Sequence, residues 1–132
     1  MNKGITLLSS VLLSSAVLIA PAFAATDVGQ AMKAMGKSYR LVMKDTDAAS
    51  LKTDLAALRA AAVTAQAGVP GNMAKQPADS DARKTFSAGM TEFINQVDVA
   101  SKLADDGKVP EAKAEAAKLK DLMKEYHSKL GV

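Results

Sequence analysis

Four segments of this chain repeat apolar side chains at steps of three and four residues. That spacing places the apolar side chains of each segment along one face of an α-helix. Strand-like runs of valine, isoleucine and threonine are missing, whereas alanine, leucine, lysine and methionine, which favour helix, are abundant. We therefore predict four helices, over about Val28 to Lys44, Ala48 to Ala67, Ser80 to Asp105 and Val109 to Leu130.

The apolar stripe of each predicted helix identifies the side chains expected to face the core. These are Val28, Met32, Met35, Tyr39 and Val42 or Met43 in the first helix; Leu51, Leu55, Leu58 and Ala62 in the second; Phe86, Met90, Phe93, Val97 and Ala104 in the third; and Ala112, Ala116, Leu119, Met123, His127 and Leu130 in the fourth. Gly36 interrupts the first stripe and weakens that helix. Amphipathic helices are stabilised mainly by burying such faces, so the four stripes are expected to pack together.

The connections between the helices predict their directions. Residues 45–47 join the first pair and residues 106–108 the second, and connections this short force neighbouring helices to run antiparallel. The middle connection, residues 68–79, is longer and contains two prolines, and residues 68–71 at its start are interpreted as a plain interhelix loop. Asp47 is a predicted N-cap, as is Asp79 or Ser80. The predicted architecture is an all-α, antiparallel up-down-up-down four-helix bundle.

The first 24 residues have the pattern of a secretory signal peptide. Lys3 precedes an apolar stretch from Ile5 to Ala20, and Ala22-Phe23-Ala24 is a small-residue cleavage pattern. A membrane anchor is the alternative, but the stretch is short and broken by serines. We therefore expect residues 25–132 to form one exported domain. Loss of Lys3 would leave 16 of the 17 basic residues against 14 acidic ones.

The composition excludes several classes of function. The chain has no cysteine, which removes thiolate metal sites, thiol catalysis and covalent c-type haem attachment. One histidine is too few for a typical zinc or di-iron site, and no glycine-rich phosphate loop is present. Acidic and basic residues are interspersed without a basic block, which argues against nucleic acid as a partner. No segment after the leader is apolar enough to span a bilayer. We expect a protein without enzymatic activity.

The remaining candidate chemistry pairs the single histidine with a methionine. In an up-down-up-down bundle the first helix starts at the end where the fourth helix finishes. Met32 lies near that start and His127 near that finish, each on the apolar stripe of its helix. A thioether and an imidazole on opposite sides of a flat cavity form a known axial pair for haem iron. Methionine is also common core filler, and a lone histidine is often a surface residue, so an unliganded bundle stays open.

Three short segments resemble one known family. They are LRAAAVTAQ at Leu58 to Gln66, LADDGKVPEAKAEA at Leu103 to Ala116, and YHSK at Tyr126 to Lys129. Each is similar to a stretch of the cytochrome b562 family, periplasmic four-helix-bundle proteins that bind haem. The resemblance extends over essentially all of residues 25–132 without insertions or deletions in the core.

The resemblance implies a set of haem-site residues. Carried over residue by residue, the axial ligands would be Met32 and His127; Met35, one turn from Met32, is the rival. Phe86 falls on a position where the family packs an aromatic side chain against haem. Met90 stands where the family would have a second aromatic. The basic residue that the family has after its terminal histidine segment is unmatched here, since the chain ends Leu130-Gly131-Val132. The cavity lining is expected from Met35, Phe86, Met90 and Met123.

The resemblance thus predicts a monomeric electron-transfer protein that binds one non-covalent haem b through Met32 and His127. Its partners would be haem and unidentified periplasmic redox proteins. Two alternatives stay open. One is a haem-free bundle that acts as an interaction or stress protein. The other is a copper-binding protein that uses His127 with methionines, because thioethers favour Cu(I).

Overall fold

The computed structural model describes residues 27–132, which form four α-helices and one short 3-10 helix. The α-helices are α1 (Asp27–Lys44), α2 (Ala48–Ala67), α3 (Asp81–Asp105) and α4 (Val109–Leu130). The predicted bounds are confirmed for α2 and α4, and α1 and α3 each differ by one residue at the start. The described residues contain no β-strand. The predicted leader and its cleavage site lie outside the described residues.

Local side-chain chemistry explains where the helices begin. Asp47 caps α2: its carboxylate accepts a hydrogen bond from the Ser50 backbone N–H at 2.8 Å and another from the Ser50 hydroxyl at 2.9 Å. Of the two predicted caps for α3, Ser80 is the one observed, and its hydroxyl oxygen accepts from the Arg83 backbone N–H at 3.3 Å. Pro110 lies in the first turn of α4, where its missing N–H leaves no hydrogen bond unmade.

The core lies between the four helices and is centred on leucines of α2. Leu51, Leu55 and Leu58 are fully buried, as are Val97 of α3 and Leu119 of α4. α1 packs on α2, α2 on α3 and α3 on α4, which is the order expected of consecutive antiparallel helices. The predicted up-down-up-down bundle is confirmed.

The connection between α2 and α3 differs from the plain loop that the sequence predicted. Gly71–Met73 forms a turn of 3-10 helix, in which the Met73 N–H donates to the Pro70 carbonyl oxygen at 2.8 Å. Met73 is only 3% exposed, so this connection contributes a side chain to the core.

Among residues 27–132, none of the helices is long and apolar enough to cross a membrane.

Replacing the fully buried Leu55 by alanine should reduce the free energy of unfolding by about 2–5 kcal/mol, because a cavity would remain in the centre of the bundle. The matched control is Leu41→Ala on the surface of α1, where the side chain is 40% exposed and the change should be about 0.5 kcal/mol or less. Urea unfolding followed by circular dichroism measures both variants. Equal losses would contradict a core centred on α2.

Candidate functional site

A cavity of about 500 Å³ lies at the end of the bundle where α1 and α3 begin and α4 ends. Its walls come from the first half of α1, the 3-10 connection, the first half of α3 and the last half of α4. All six side chains that the sequence assigned to a haem site line this one cavity: Met32, Met35, Phe86, Met90, Met123 and His127. The antiparallel arrangement therefore brings together residues separated by most of the chain.

The cavity is found where α1 and α4 separate. These two helices contact each other far less than α1 contacts α2, α2 contacts α3 or α3 contacts α4. At the opposite end of the bundle they are joined, because the Lys113 ammonium donates to the Asp45 carbonyl oxygen at 2.7 Å. Val42 and Ala112, near that end, are fully buried. The bundle is thus closed at one end and open at the other.

Methionines supply much of the cavity wall. Of the six methionines among the described residues, all but Met43 line the cavity, including Met73, to which the sequence assigned no role. Phe93 and Leu122 add further apolar surface. Long, unbranched thioether side chains adapt to the shape of a bound molecule. The wall is suited to a large apolar ligand that presents few polar groups.

The two candidate ligands occupy the outer part of the wall. Met32 is 36% exposed and His127 is also exposed, whereas Met35, Phe86 and Met90 are all below 8% exposed. The expectation that the two side chains lie on inward-facing stripes is therefore only partly met: both line the cavity, and both are reached by solvent. A ligand entering from the open end would meet Met32 and His127 first.

The last turn of α4, which carries His127, ends in a left-handed glycine. Gly131 has φ 69°, and the Val132 N–H donates to the His127 carbonyl oxygen at 3.1 Å. On the same turn the Lys129 ammonium donates to the Glu125 carboxylate at 2.6 Å and lies 4.6 Å from the centre of the Tyr126 ring. These contacts maintain the helix up to the histidine.

Tyr126 attaches this turn to α3 through a close approach that requires glycine. A Cβ on Gly89 would lie 2.6 Å from the nearest ring atom of Tyr126, much closer than side chains tolerate. Burial, and then the Glu92 carboxylate beside it, raises the pKa of the Tyr126 phenol above its ordinary value. Because Tyr126 directly precedes His127, the packing of the Tyr126 ring against Gly89 also fixes the position of the His127 backbone.

Comparison with known proteins gives the family. The family model for cytochrome b562 matches residues 27–130, which is nearly all of the described chain. This chain belongs to the cytochrome b562 family. The family consists of b-type haem-binding cytochromes, so the resemblance seen in the three short segments is confirmed.

Two proteins of Yersinia pestis illustrate the relationship. "Probable soluble cytochrome b562 2" is 39% identical over 123 residues, which cover 93% of this chain and 93% of that protein. "Probable soluble cytochrome b562 1" is 27% identical over 89 residues, covering 67% of this chain and 70% of that protein.

Replacing Gly89 by alanine should destabilise the bundle by about 1–3 kcal/mol, because the added methyl group displaces Tyr126 from α3. The matched control is Gly36→Ala on α1, which also lies at the cavity. A Cβ there meets nothing closer than the Arg40 guanidinium at 3.9 Å, so this variant should be stabilised by about 0.5–1 kcal/mol. Thermal unfolding measures both, and stabilisation of Gly89→Ala would contradict the close approach.

Proposed function

We propose that this protein is a periplasmic one-electron carrier that binds one non-covalent b-type haem between Met32 and His127. The main support for the proposal is that both candidate ligands, Met32 of α1 and His127 of α4, line the same methionine-rich cavity. Membership of the cytochrome b562 family supports haem as the cofactor. The leader pattern in residues 1–24 supports export.

The cavity suits a haem in size, in lining and in donor chemistry. A volume of about 500 Å³ lies within the range of pockets that take cofactor-sized ligands. The lining side chains are mainly apolar, as a porphyrin face requires. The donors available to the iron are a thioether sulfur from Met32 and an imidazole nitrogen from His127, an axial pair that proteins use in cytochromes. Because α1 and α4 make few contacts with each other, a flat ligand could enter the cavity between these two helices.

The residues of the chain set the properties of the bound cofactor. When bound, haem supplies a ferric–ferrous couple that gains or loses one electron. Met32 and His127 would together hold the iron, and this supports a carrier without enzymatic activity, since two protein ligands would leave no iron position for a substrate. The thioether raises the reduction potential. Met35, Phe86, Met90 and Met123 exclude water, and their apolar surroundings disfavour the extra positive charge of the oxidised state.

Copper binding and a haem-free role are the two alternatives to this proposal. Five methionines and His127 around one cavity also suit Cu(I), a soft ion that thioethers bind well. A haem-free bundle acting as an interaction or stress protein would keep the fold and lack colour. Metal and haem analysis of protein purified from the periplasm separates the three cases: iron with haem supports our proposal, copper supports the second, and neither supports the third.

The ligand assignment predicts different results for neighbouring methionines. Met32→Ala and His127→Ala should each convert a six-coordinate absorption spectrum to a five-coordinate one and weaken haem binding by roughly tenfold or more, because each removes a bond to iron. Haem titration followed by absorption spectroscopy measures both effects.

Met35 and Met43 provide the controls for this experiment. Met35→Ala removes a thioether that lines the cavity one turn from Met32, and Met43→Ala removes one outside the cavity. Both variants should keep the six-coordinate spectrum. If Met35→Ala loses it and Met32→Ala retains it, the assignment of Met32 is wrong.

A further inference from the structure

Four basic side chains form a straight line along α1. They are Lys33, Lys37, Arg40 and Lys44, all exposed. Steps of four, three and four residues keep them within about 60° around the helix axis and spread them over about 16 Å. We call these four residues the basic stripe.

The basic stripe faces away from the core. Each of its members follows a buried residue by two positions; the buried residues are Ala31, Met35, Ser38 and Val42. Two positions correspond to about 200° around an α-helix, so each cation lies nearly opposite a core residue. The four charges therefore project into solvent and take no part in packing.

The only acidic residue of α1 is its first, Asp27, six positions before Lys33, so no carboxylate of this helix lies between the four cations. Residues 28–44 contain no aspartate or glutamate, which departs from the interspersed charge expected from the sequence as a whole. The ion pairs among residues 28–132 all involve α2, α3 and α4: Lys52–Asp105, Arg59–Asp98, Lys118–Glu115 and Lys129–Glu125. Like charges three and four residues apart destabilise a helix. An external partner of opposite charge would relieve that repulsion.

The basic stripe runs beside the cavity. Its first two members, Lys33 and Lys37, directly follow the cavity-lining residues Met32 and Gly36. The Arg40 guanidinium reaches back over Gly36, 3.9 Å from where a Cβ on that glycine would be. A partner that covers the stripe would therefore lie against the open edge of the cavity.

We propose that the basic stripe is the docking surface for the acidic face of a redox protein partner. This inference rests on the proposed electron-carrier function. Complementary charge speeds the association of two proteins, and transient electron exchange requires fast association. The effect weakens as salt is added. A membrane surface fits less well, because a membrane-binding helix inserts an apolar face, and α1 buries its apolar face in the bundle.

The first measurement locates the contact without relying on haem. Oxidised plant-type ferredoxin, an acidic protein with one [2Fe–2S] centre, serves as the probe. It is added to the full mature protein labelled with ¹⁵N, in the form in which it is purified. Backbone NMR signals of residues 33–44 should shift or broaden most, and the effect should vanish when salt is raised. Changes centred on α2 or α3 would overturn the proposal.

The second measurement tests whether the contact serves electron transfer. In stopped-flow mixing, one electron leaves the reduced [2Fe–2S] centre and converts ferric haem in the carrier to ferrous haem. A stripe variant carries Lys33→Gln, Lys37→Gln, Arg40→Gln and Lys44→Gln together. Its second-order rate at low salt should be roughly tenfold below wild type, and its salt dependence should be flatter.

The control variant loses the same amount of charge elsewhere. It carries glutamine at four exposed lysines outside α1: Lys75, Lys84, Lys102 and Lys108. Its rate should fall by about twofold or less, because only long-range attraction is reduced. Equal losses in the two variants would mean that net charge alone matters, and the proposal would be wrong.

Two further outcomes are distinguishable. If the protein takes up no haem but the NMR changes still map to residues 33–44, the electron-carrier function fails and the docking surface stands. A second outcome is that wild type sediments with phosphatidylserine vesicles and the stripe variant does not, while both give the same NMR changes with ferredoxin. The stripe would then bind an anionic lipid surface, and the protein-docking proposal would be overturned.

Discussion

Two short connections determine most of what this molecule can do. Residues 45–47 and 106–108 are so short that the helices they join must run antiparallel. In the resulting up-down-up-down bundle, the end of α4 lies beside the start of α1. Only these two helices are neighbours in the bundle without being joined by a connection. They are held together at the closed end by Lys113 and Asp45 and separate at the other. The cavity is a consequence of that separation.

An apolar cavity reached by solvent is unfavourable in an otherwise close-packed bundle. Side chains on its wall lack the partner atoms that stabilise the buried leucines of α2. A ligand that fills the space supplies those contacts and stabilises the folded state, so binding and folding are linked at this end of the molecule. The same reasoning explains the distribution of methionine, whose flexible side chains border the cavity at five positions. The Tyr126–Gly89 contact keeps the last turn of α4 in place beside it.

Much of the fold could be predicted because helical periodicity and capping are local signals. The bounds of α2 and α4, the cap at Asp47 and the six cavity residues all follow from spacing, from connection length or from the family resemblance. The 3-10 turn that buries Met73 carries no periodic signal and was missed. The sequence also did not predict that the Tyr126 ring packs against Gly89, because this contact depends on the distance between α3 and α4. A stripe of apolar residues indicates which face points inward, but not where the packing stops, and the exposure of Met32 and His127 could not be read from it.

The most direct test of this account is the absorption spectrum of the purified wild-type protein during haem titration, recorded in the oxidised state and again after reduction. We predict uptake of one haem per chain and sharp bands of six-coordinate, low-spin iron in both states, because the proposed ligands Met32 and His127 should stay bound when the electron is transferred. Absence of haem uptake at micromolar concentration, or a five-coordinate spectrum in both states, would contradict it.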